Sequence, residues 1–127
     1  MSNRKRRSDS RQLQLTLPLD EIESRKHRAG SMRRHEQIRE ALRAALRDAG
    51  LSREVVAEEV SRLTGDSVSV HHINNWVAES KDGWRLPLEY AAALTVVTGD
   101  PEIIRAALGG TGMMVLDQDQ AAIYELG

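Results

Sequence analysis

Polar and apolar positions alternate in two distinct rhythms along this chain. In residues 12–20 the rhythm has period two: Leu13, Leu15, Leu17 and Leu19 alternate with polar residues, which predicts an extended segment. Pro18 removes a backbone donor there and suits an edge strand or a bound peptide better than a central strand. From residue 31 onward the rhythm is helical. Ile38, Ala41, Leu42, Ala45, Leu46 and Ala49 fall at i, i+3, i+4, i+7, i+8 and i+11, an amphipathic stripe. Ser31 is the expected cap of that helix, which runs to about Asp48 and stops at Gly50.

Further helices follow at short intervals. Ser52 caps one over about 53–63, with Val55, Val56, Ala57, Val60 and Leu63 as its apolar positions. After a turn at Gly65-Asp66-Ser67, Ser69 caps a third over about 70–79 that buries Ile73, Trp76 and Val77. Residues 80–86 read as a loop, and Pro87 opens a fourth helix to about residue 98, with Leu88, Ala91, Ala92, Leu94 and Val97 apolar. A fifth runs from Asp100-Pro101 to about Leu108, and Asp117 caps a last short helix over about 118–125. Met113 to Leu116 is expected as a short strand or ribbon. The expected class is all-α, five to six short helices with that one small β element. Two regions are expected: a disordered basic arm over 1–30, and a helical domain over 31–127.

Composition narrows the function classes. The 127 residues include no cysteine, so disulfide scaffolds, thiolate zinc sites and thiol nucleophiles are excluded. No apolar run approaches the length of a membrane span, and no hydrophobic stretch follows the basic start as in a secretory signal. A cytoplasmic protein without membrane attachment is therefore expected. The net charge of −1 conceals an asymmetry. Residues 1–50 hold 13 Lys/Arg against 7 Asp/Glu, and residues 51–127 hold 5 against 12, so a +6 half precedes a −7 half. Different partners for the two halves are implied.

The helical region resembles the phage Cro/C1-type helix-turn-helix family over residues 32–106. The matching pieces are Asp48-Ala49-Gly50, Leu51-Ser52-Arg53-Glu54, Val56-Ala57, Val68 through Trp76, and Arg85-Leu86-Pro87-Leu88-Glu89-Tyr90-Ala91-Ala92-Ala93-Leu94 with Thr98-Gly99-Asp100. The run from Val77-Ala78-Glu79-Ser80-Lys81 to Pro87 is similar to CII-like phage regulators. The resemblance implies a transcriptional regulator that binds double-stranded DNA, with the third helix as the recognition helix. Two features depart from the family: the link Ser61 to Val68 is longer than the tight turn, and the domain is acidic. Ser69, His71, His72, Asn74 and Asn75 are neutral hydrogen bonders on that helix, and Asn pairs bidentately with adenine. Their other reading is a solvated helix face. Lys81, Arg53 and Arg85 are the cations expected near it, with Arg33 and Arg34 as further candidates within reach, and Arg4, Lys5, Arg6 and Arg7 in the arm supply phosphate contacts, unless the arm serves only solubility. A homo-oligomer would double the contacts, and Met113-Met114-Val115-Leu116 is the expected interface, with core packing as the other use of those residues.

Gln14-Leu15-Thr16-Leu17-Pro18-Leu19 resembles the hexapeptide by which bacterial replication proteins bind the DNA polymerase sliding clamp. In that resemblance Gln14 fills a small polar pocket, Leu15, Leu17 and Leu19 enter an apolar cleft, and Pro18 pre-bends the peptide so that it loses less entropy on binding. The register starting at Gln12 also fits a looser form. The alternative function is accordingly a protein-binding adaptor or inhibitor acting on the clamp, and the alternative use of the leucines is packing on the domain or on a second copy. No enzyme, metal or cofactor is expected: adjacent His71 and His72 point about 100° apart on a helix and cannot share one metal, and Gly109-Gly110-Thr111-Gly112 follows a helix rather than a strand.

Overall fold

A computed structural model describes residues 18–81 and 83–126 of the chain. It divides into a unit ending at Ser31 and a larger one beginning at Met32. In the first unit, the described residues form two single-turn 3₁₀ helices, Leu19–Glu21 and Glu23–Lys26. Leu19 therefore lies in a turn rather than in the extended segment its alternation predicts. The Glu21 amide closes that turn on the Pro18 carbonyl at 3.0 Å, a local bond that needs no sheet partner.

The larger unit is all-helical: α1 His35–Asp48, α2 Arg53–Thr64, α3 Val70–Val77, α4 Leu88–Thr98, α5 Glu102–Ala107 and α6 Gln118–Leu126. Helix α1 packs chiefly on α5 and α2 on α4, while α3 touches both α1 and α2. The core is aliphatic and centres on Leu42, Val56, Val60, Ile73, Leu94 and Ile103. On α1 the stripe is used as its spacing predicts, with Leu42, Ala45 and Leu46 buried and Ile38 and Ala41 packed beside them.

Several ends differ from expectation. Ser31 is not a cap, because α1 begins four residues later at His35 with Arg34 at its N-cap position. The Ser31 amide instead closes a turn on the Arg28 carbonyl at 3.0 Å. Helix α4 is apolar nearly all round, so spacing could not choose its inner side: Ala93 is buried, while Leu88 is 81% exposed and Ala92 also faces out. Val55 and Leu63 on α2 are likewise exposed. Met113 to Asp117 forms no strand, since no other described segment pairs with it.

The long α2–α3 link is stitched rather than loose. Gly65 ends α2 in the left-handed region, at φ 76°, where a side chain would be strained. Ser61 Oγ accepts the Val68 amide at 2.9 Å and donates to the Ala57 carbonyl at 2.7 Å. Buried Val68 then plugs the link onto the core. At the other end, Arg105 ties α6 in by reaching the Val115 carbonyl at 3.0 Å and Gln120 Oε1 at 2.9 Å.

Candidate nucleic-acid interface

Helix α3 starts from a reciprocal cap. The Ser69 hydroxyl accepts the His72 amide at 3.3 Å, and His72 Nδ1 accepts the Ser69 amide at 3.0 Å. A histidine here does the work usually given to Glu or Gln in a capping box. At the far end, Arg43 of α1 donates to the Val77 carbonyl at 2.6 Å, satisfying an acceptor the helix leaves open.

The five polar residues expected on one outer face do not share one role. His71 and Asn74 are exposed, Ser69 is exposed at the cap, and His72 is half-buried. Asn75 is only 7% exposed, so its place on an outward face is corrected. Its Nδ2 donates to His71 Nε2 at 3.0 Å, which satisfies a buried amide and steadies the histidine. Asn74 points outward and accepts a hydrogen bond from Arg53 Nη1 at the start of α2. The bond places a cation beside the middle of α3.

A tryptophan from the loop after α3 flanks this face. The Trp84 ring meets His71 edge-on with centroids 6.0 Å apart, and His72 at 6.5 Å. Trp76 lies behind, stacked on Tyr90 at 5.4 Å. The Tyr90 hydroxyl donates to Asp66 Oδ2 at 2.9 Å, joining α4 to the α2–α3 link. Lys81 is exposed in the same loop. Carboxylates stand nearby as well: Glu54 and Glu58 are exposed on α2, and Glu79 lies 3.6 Å from Arg43.

Arg4, Lys5, Arg6, Arg7, Gln14, Leu15 and Leu17 lie outside the described residues. Pro18 and Leu19 are described and exposed, Leu19 by 55%. Met113 and Met114 are exposed by 69% and 66%, and Leu116 by 37%, so they are not core. Among the described residues no three His, Asp or Glu side chains gather as a metal set, and no helix is long and apolar enough to cross a membrane.

Sequence reading missed the parts played by Trp84 and Arg43. A tryptophan amid the polar run Ser80-Lys81-Asp82-Gly83 was the available signal for the first. Arg43 reads as one more surface cation, and its target carbonyl is set only by how α1 crosses α3. Comparisons with protein-family models, curated proteins and solved structures find no match.

Proposed function

We propose that this chain is a DNA-binding regulator of the helix-turn-helix class, with α3 entering the major groove and the basic N-terminal arm holding phosphates. The observation that carries the reading is the make-up of the outer side of α3. Ser69, His71 and Asn74 are exposed neutral hydrogen bonders, and Arg53 is bonded to Asn74 beside them. Groups of that kind read base edges, whereas a cation next to them favours phosphate. Asn75 has no part in the reading. Pairing of two copies through the exposed Met113, Met114 and Leu116 would place two such helices on one duplex.

Equilibrium titration of duplex DNA at rising salt tests the reading. Affinity should fall steeply, by about 0.9 log units per log unit of salt for each phosphate neutralised. Changing Arg4 to Arg7 to Ala should flatten the slope, and Asn74→Ala should lower affinity without changing it. A wild-type chain that binds no duplex at low salt overturns the proposal.

A second reading rests on the exposure of Leu19. In it, Gln14 to Leu19 bind the replication sliding clamp and the chain acts as an adaptor. Clamp retention that survives Gln14→Ala with Leu17→Ala would remove this reading.

A further inference from the structure

The chain leaves α3 after Val77 and turns twice, with the Lys81 amide on the Ala78 carbonyl at 3.1 Å and the Trp84 amide on the Lys81 carbonyl at 2.8 Å. These turns carry it back along the helix. The Trp84 ring ends against His71 and His72, at centroid distances of 6.0 and 6.5 Å. Those histidines are the second and third residues of α3, so the indole stands beside its first turn. The first turn is the part of a recognition helix that meets base edges.

The chain has two tryptophans and no phenylalanine, and it uses the two indoles differently. Trp76 is 5% exposed and stacks on Tyr90. Trp84 is 44% exposed, so a large apolar surface stays in water next to the exposed His71. Covering that surface is favourable in proportion to the area removed from water. What covers it follows from the groove. Base edges in the major groove present donors, acceptors and one apolar group, the 5-methyl of thymine. Phosphate oxygens match only the indole N–H, and leave the ring face unmatched.

We infer that Trp84 reads the 5-methyl group of a thymine next to the base pair that His71 contacts. The inference rests on the proposal that α3 enters the major groove, and it names a base that this site selects. In this arrangement the polar side chains of α3 supply hydrogen bonds, and the loop supplies the apolar half of the readout.

The test uses the full chain and the duplex motif it enriches from a random pool. Each thymine of that motif is replaced singly by deoxyuridine, which lacks only the methyl group, and binding is titrated at constant salt. Replacement at one thymine should weaken wild-type binding about fourfold, the worth of one buried methyl. Trp84→Ala should bind the thymine and uracil forms of that position equally, and Trp84→Phe should keep part of the preference. A merely structural role for Trp84 would lower affinity for both forms alike. That result overturns the inference, and so does a uracil penalty that Trp84→Ala leaves unchanged. Wild-type binding indifferent to every replacement, or a motif without thymine, overturns it whether or not the variants fold. These outcomes leave DNA reading by α3 standing, whereas a wild-type chain that binds no duplex removes both.

Discussion

Asn75 Nδ2 donates to His71 Nε2 across 3.0 Å, and that bond divides two adjacent asparagines between structure and surface. Asn75 is nearly buried, while Asn74 is exposed against Arg53. Removing the Asn75 amide leaves the histidine edge and a small void within the fold. Asn75→Ala should therefore lower unfolding free energy by about 1–3 kcal/mol. Asn74→Ala should leave stability within about 0.5 kcal/mol, as surface changes usually do. Denaturant melts of the two variants check this, and equal losses would contradict it.

Arg34 and Gly109 form a second dependent pair. A methyl group at residue 109 would run into the guanidinium, which is anchored on the Ala106 carbonyl near the end of α5. The side chain can swing away, so the penalty is the anchor and not the clash. Gly109→Ala should cost about 1 kcal/mol, Arg34→Ala a similar amount, and the double variant little more than either. Thermal melts of the four-protein cycle measure it, and full additivity would contradict the coupling.

Tyr90 gives a pH signature. Its hydroxyl donates to Asp66, and that bond, followed by burial and by the charges of Asp66 and Glu89, raises the phenol above its ordinary 10.0. The protonated ring is the form the fold prefers. Its contribution is complete below the unfolded-chain value and is lost as pH climbs through the higher folded value. Alkaline titration of phenolate absorbance should show a late-titrating tyrosine that Asp66→Asn moves down. An unchanged curve in that variant would contradict the assignment.

The exposed methionines bear on assembly. Met113 and Met114 each show about two-thirds of their surface, an unusual clustering of large apolar groups. Met113→Ser with Met114→Ser should shift a concentration-dependent dimer toward monomer in sedimentation equilibrium, with helix content unchanged. A wild-type chain that stays monomeric at all concentrations would remove the dimer from the proposed function.

Much of the fold was legible where one signal dominated. The stripe on α1 marked its inner face, and Ser52, Ser69 and Asp117 mark the starts of α2, α3 and α6 as their side chains suggest. The pattern failed where apolar residues were too many or too few. Helix α4 offered no period, so Leu88 and Ala93 could not be told apart by spacing. At Ser31 a good capping residue stands outside the helix, since His35 to Asp48 is the stretch that packs on the core. For the candidate interface, residue type correctly placed His71 and Asn74 outside, but Asn75 was indistinguishable from Asn74. Its inward turn depends on the angular position of α3 against its neighbours.

Selection of bound sequences from a pool of random duplexes addresses the role of α3 most directly. The predicted result is enrichment of one motif by the wild-type chain, weakened at a defined base pair by Asn74→Ala and preserved in register by Asn75→Ala. A pool that stays random under wild-type selection, or a motif untouched by Asn74→Ala and His71→Ala together, would contradict sequence reading by this helix.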